Sequence, residues 1–250
     1  MRLKAEDGFT ILELLIVVAI LAALAGGVIM VLDGTQEDSA SKVAQSEMLE
    51  IKKALLKFKQ DTGYLPKTGP FSLATEGGSI PLNRLPSTVP VGQEAAWFNS
   101  PANFWVLYGR DEVSVCTGFS NPQSPLCGTG HALETWNPDT GRGWRGPYLT
   151  RQGEGLVDIG NGLGTNGSGS PLTGILLSEV RGVADPFVAK PEGSFFVWRT
   201  SPGSTPHDRW GRPFFLFDLN DNNNARIVGM GPNRTYNNET DDDIILYIFK

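Results

Sequence analysis

FTILELLIVVAILAALAGGVIMVL, residues 9–32, is nearly all apolar. At 1.5 Å per residue such a stretch makes a helix about 36 Å long, and the hydrocarbon core of a bilayer is about 30 Å thick. It therefore predicts a helix that spans a membrane. A cleaved secretory signal would carry a shorter apolar core with a small-residue site behind it; here Gly8 stands in front of the run, so the helix is expected to stay with the mature chain. Arg2 and Lys4 place positive charge ahead of it, which predicts a cytoplasmic N-terminus and export of the rest. One residue breaks the pattern. Glu13 sits inside the apolar run, where an acid costs roughly 2.5–3.5 kcal/mol to insert, so it calls for a partner.

The decamer GFTILELLIV, residues 8–17, resembles the cleavage and methylation site of type IV pilins and type II secretion pseudopilins. The resemblance implies a leader over residues 1–8, cut by a prepilin peptidase between Gly8 and Phe9. It implies N-methylation of Phe9 and a role for Glu13 in assembly, paired with the terminal amine of a neighbouring subunit. The physics agrees with that pairing: an acid and an ammonium are each costly in lipid, and joining them between subunits removes both penalties while setting register. Glu6 and Asp7 depart from the usual basic leader. Many family members carry a late proline in the span; Met30 and the Gly26, Gly27 pair stand here instead.

Outward from the span, Asp33, Gly34 and Thr35 read as a polar hinge. Val43, Met48, Ile51, Leu55 and Phe58 then recur near the helical period, with Lys52, Lys53, Lys57 and Lys59 mostly off that stripe. Residues 33–63 are thus an amphipathic second half of one long helix, closed at Asp61, Thr62 and Gly63 with Gly63 as left-handed cap. Residues 64–250 form the exported head. Strand-like runs occur at 104–107, 195–199, 213–218, 225–229 and 244–249. The expected class is α+β: a long N-terminal helix, half transmembrane and half amphipathic, packed on a C-terminal antiparallel β-sheet with long loops.

Within the head, GRGWRGPYL at 141–149 and DRWGRPF at 208–214 resemble segments of the major pseudopilin of type II secretion, with Arg209 and Arg212 as departures. The stretch from GMGPN at 229–233 to DDDI at 241–244 resembles the loop that carries calcium in those proteins. Carried over residue by residue, this implies Ca2+ held by Asn233, Asp241 and Asp243 with backbone carbonyls. Three adjacent carboxylates repel one another, and a hard cation with oxygen ligands would relieve that; a solvated acidic loop is the other reading. Residues 67–137 and the glycine-rich stretch near 153–174 match no family segment.

Other chemistry is weakly supported. A net charge of −6 gives no basic footprint for nucleic acid. DLNDNNN at 218–224 has the alternation of an EF-hand start but lacks the glycine and distal glutamate, so it reads as a hairpin turn. GLGTNG at 162–167 matches a dinucleotide pattern with no helix behind it, and reads as a flexible loop. His131 and His207 are the only histidines, and no nucleophile elbow or phosphate loop is present, so no enzyme is expected. The six tryptophans read as core and turn packing before a binding patch. Cys116 and Cys127 read either as a disulfide, which an exported domain would keep, or as two free thiols.

The expected function is a structural subunit of a type II secretion pseudopilus. Its partners would be further copies and other (pseudo)pilins, the prepilin peptidase and an inner-membrane assembly platform. It would be a single-pass inner-membrane protein with its head in the periplasm. Alternatives are a type IV pilus subunit and a tip module that binds a secreted substrate or surface.

Overall fold

The computed structural model describes residues 11–73, 80, 82, 85–86, 89–108, 133, 136–150, 155–187, 192–206 and 211–250; side chains of residues 25–36 are outside that description. Helix α1 runs over Ile11–Thr62. The hinge expected at Asp33, Gly34 and Thr35 is absent: the helix is continuous there, and at Gly26 and Gly27. A glycine weakens a helix by only about 1 kcal/mol, too little to break one so long. The end falls where the sequence places it. Gly63 has φ +87° and its amide bonds the Lys59 carbonyl at 2.7 Å.

The chain forms two compact units, Met1–Ala40 and Ser41–Lys250. In the first, every described side chain from 11 to 24 is exposed, Ile11 by 86 % and Leu24 by 62 %. No helix among the described residues is long and apolar enough to cross a membrane. Residues 9 and 10 and the side chains from 25 onward, which complete the predicted span, lie outside them.

In the second unit the amphipathic stripe becomes core. Met48, Ile51, Leu55 and Phe58 are buried, together with Ala44 and Ala54. Val43 is the exception at 46 % exposed, because the buried face runs through Ala44 instead. Phe58 meets Phe71 edge-on at 4.9 Å and Tyr148 at 5.3 Å. The lysines beside the stripe fasten the C-terminus: Lys52 donates to the carbonyls of Tyr247 at 2.8 Å and Lys250 at 3.0 Å, and Lys59 donates to Asn222 and lies 4.2 Å from the Phe249 ring.

Among the described residues, two antiparallel three-stranded sheets follow where one was expected. The first orders β2 (Leu176–Arg181), β1 (Leu156–Gly160) and β3 (Val197–Arg199); the second orders β4 (Phe215–Phe217), β5 (Arg226–Gly229) and β6 (Ile244–Tyr247). Strands β3 to β6 lie inside the runs read from sequence, whereas β1 starts in the unmatched glycine-rich stretch and β2 follows it, and neither is among those runs. The central strands β1 and β5 are buried along their whole length. Between the sheets, Ala184 pairs with Pro213, and the buried Asp185 carboxylate accepts the amides of Phe187 and Arg212, each at 3.0 Å.

The run at 104–107 is not a strand. Trp105–Leu107 is a 3-10 turn, started by Asn103, whose side chain accepts the Trp105 amide at 2.9 Å and donates to Trp97. It packs with helix α2 (Glu94–Asn99), whose Trp97 and Phe98 meet Trp105 edge-on at 6.3 and 6.2 Å. The part of the unmatched region around residues 97–108 is therefore packed core. Trp97, Trp105, Trp144 and Trp198 are each at most 2 % exposed, as the packing reading expects; Trp210 lies outside the described residues.

Candidate functional site

The connection between β5 and β6 carries the candidate cation residues. Gly231 turns the chain at φ +64°, and the Arg234 amide closes the turn on the Gly231 carbonyl at 3.1 Å. Asn233 accepts the Thr235 amide at 2.7 Å, and its backbone N–H donates to Asp242 Oδ2 at 2.6 Å. Asp243 Oδ2 accepts the amides of Asn237 and Glu239, each at 2.9 Å. Asp241 Oδ2 faces the side-chain amides of Asn233 and Asn237 at 3.4 and 3.3 Å. Arg234, Asn238, Glu239 and Asp241 all hold positive φ, so the loop is tightly coiled.

This geometry brings Asn233, Asp241 and Asp243 into one loop. It also adds Asp242, which the sequence reading leaves out because nothing in three consecutive aspartates tells which will turn inward. Asp242 Oδ1 and Asp243 Oδ1 are both buried with no hydrogen-bond partner. Burial pushes the Asp243 carboxyl above its ordinary range, the two backbone amides offset part of that, and Asp242 and Glu239 add to it. Buried carboxylate oxygens without donors suit a hard, oxygen-seeking cation such as Ca2+. Among the described residues, however, no three or more His, Cys, Asp or Glu side chains converge as a metal ion would gather them. Any coordination would need backbone carbonyls.

Around this loop lies a set of contacts that the sequence did not announce. Arg226 of β5 donates to both oxygens of Glu239, to Asp218, to the Asn224 carbonyl at 3.0 Å and to the Asn166 carbonyl at 3.1 Å. Asp218 stands at the start of the 218–224 segment, which is the β4–β5 turn that its composition predicts. The GLGTNG segment is not loose: Gly164 and Gly167 are bonded within it, Tyr236 donates to the Gly167 carbonyl, and no helix follows. Beside it, Lys67, Asn99, Thr165, Leu216, Asp218 and neighbours line a cavity of about 260 Å³. There the Lys67 amine donates to the Ser100 carbonyl at 2.7 Å, and burial pushes it down to about 7.

On α1, Glu13 lies in the first turn and is exposed. Leu49 and Leu56, one heptad apart, are 48 % and 37 % exposed on the side away from the buried stripe. They fall outside the single apolar stripe of Met48, Ile51, Leu55 and Phe58. Gly8, Phe9, Cys116 and Cys127 lie outside the described residues, as do His131, His207 and Asp208 to Trp210.

Comparison with known proteins bears on this arrangement. Residues 3–29 match the prokaryotic N-terminal methylation motif. The chain is 30 % identical over 149 residues to the type II secretion system core protein G of Vibrio cholerae, covering 95 % of that protein and 54 % of this chain. The chain belongs to the type IV pilin and type II secretion pseudopilin family. Its members are structural subunits. This pseudopilin relative is much longer than the core protein G it resembles. No solved structure gave a significant match.

Proposed function

We propose that this chain is a structural subunit of a type II secretion pseudopilus, anchored in the inner membrane by residues 9–32 and polymerised through α1. The observation that carries the reading is the apolar helix: every side chain from 11 to 24 is exposed, with Glu13 among them. Burying apolar surface is worth about 25 cal/mol per Å², so a helix left bare this way is stable only in lipid or against other subunits. The likeness to a core protein G supports secretion over a type IV pilus.

In this reading the prepilin peptidase removes residues 1–8 and Phe9 receives the methyl group. Glu13 then pairs with the Phe9 amine of the next subunit, and the inner-membrane platform adds subunits one by one. Leu49 and Leu56 add exposed apolar contacts between subunits in the amphipathic half of α1. The 233–243 loop binds Ca2+ through Asp241, Asp243, the added Asp242 and backbone carbonyls, with Asn233 shaping the turn. Cys116 and Cys127 pair in the oxidising periplasm. The test is assembly: Glu13→Ala is expected to yield chain that sits in the inner membrane at normal level but gives few sheared fibres and little secretion. Normal fibres from that variant would refute the role given to the charge.

A further inference from the structure

The cation loop is not held by its own strands alone. Its interior clamp is the pair of amides, Asn237 and Glu239, that converge on Asp243. Both are next to, or part of, residues tied to the glycine-rich connection between β1 and β2. Tyr236, directly before Asn237, donates its hydroxyl to the Gly167 carbonyl, and its ring packs against both Phe215 at 5.6 Å and Phe217 at 5.8 Å. Glu239 is gripped by Arg226, which also donates to the Asn166 carbonyl.

The connection itself is hydrogen-bonded along its length. Gly160 bonds Pro171 at 2.9 Å, Gly162 bonds Thr173 at 3.0 Å, Gly164 bonds Ser168 at 2.7 Å, and Asn161 caps Ile175 at 2.8 Å. Gly167 is required at its apex. Its φ is +89°, and an added Cβ would stand 2.7 Å from Glu239 Oε1 and 2.8 Å from the Tyr236 hydroxyl.

We infer that Tyr236 and Arg226 are positioning residues for the 233–243 loop, and that the glycine-rich β1–β2 connection is the brace against which they hold it. A segment outside the recognised family motifs thus sets the shape of the loop that the proposed function assigns to Ca2+, and only the calcium readout below rests on that assignment.

The experiment uses the full chain in detergent micelles. Amide exchange in chelator is compared for the wild type, Tyr236→Phe, which removes one hydroxyl, and Gly167→Ala, which crowds the same contact from the opposite side. Exchange at Asn237 and Glu239 should speed roughly fivefold to tenfold in Tyr236→Phe, the weight of one hydrogen bond, while β5 and β6 are unchanged. Calcium titration of the same samples should show a dissociation constant raised several-fold in both variants. Unchanged exchange at the two amides, or an equal speeding throughout the second sheet, would overturn the inference. A wild-type chain that takes up no calcium, with exchange still raised in the variants, would leave the brace standing and overturn the cation reading instead.

Discussion

Gly231→Ala should damage the acidic loop far more than Gly92→Ala damages its own turn, although both glycines hold positive φ, +64° and +80°. Forcing an L residue into that region costs about 1–2 kcal/mol, and both variants incur it. Only Gly231 has a second term. Its Cβ would stand 2.1 Å from the backbone oxygen of Asp242, where ordinary contact begins near 3.4 Å; around Gly92 there is nothing within 4 Å. The obstacle at Gly231 is main chain and cannot rotate away. Relieving it must shift Asp242, and with it the 2.6 Å bond from the Asn233 amide to its carboxylate. Overpacking of this kind adds about 1–3 kcal/mol, so Gly231→Ala should lose about 2–5 kcal/mol against about 1–2 for Gly92→Ala. Urea unfolding of the full chain in micelles measures both, with the buried Trp97, Trp105, Trp144 and Trp198 as the fluorescence probe. Equal losses in the two variants would refute the tight closure of the loop.

Phe58→Ala, which removes a wholly buried ring from its contacts with Phe71 and Tyr148, should cost about 3–5 kcal/mol in the same assay. Burial pushes the Lys67 amine down to about 7 in the folded chain from near 10.4 in the unfolded one, so between those values the unfolded chain holds the extra proton. Its contribution to stability therefore rises with pH from about 7 upward. Lys67→Met should flatten that part of the stability curve, and parallel curves for the two chains between about pH 6 and 9 would count against it.

Elements whose causes lie close in sequence were legible. The helix repeat, the Gly63 cap and the β4–β5 turn each depend on residues within a few positions. What escaped depends on distant partners. Strand β1, Leu156–Gly160, has Asp158 at its centre, which argues against a fully buried strand until Arg199 is found 2.7 Å from that carboxylate. The run at 104–107 has strand composition, yet the Asn103 side chain turns it into a 3-10 segment. At the candidate cation loop the residue types were readable, but the inward turn of Asp242 and the support from Arg226, Tyr236 and Gly167 were not. Gly167 and Tyr236 are 69 positions apart.

The N-terminus of the mature protein tests the central claim most directly. Intact mass and sequencing of the chain recovered from membranes, with and without active prepilin peptidase, should give a form lacking residues 1–8 that begins with N-methylated Phe9 only when the peptidase is present. A chain that keeps Met1 to Gly8 in peptidase-competent cells, or that is cut behind the apolar helix, would contradict the account.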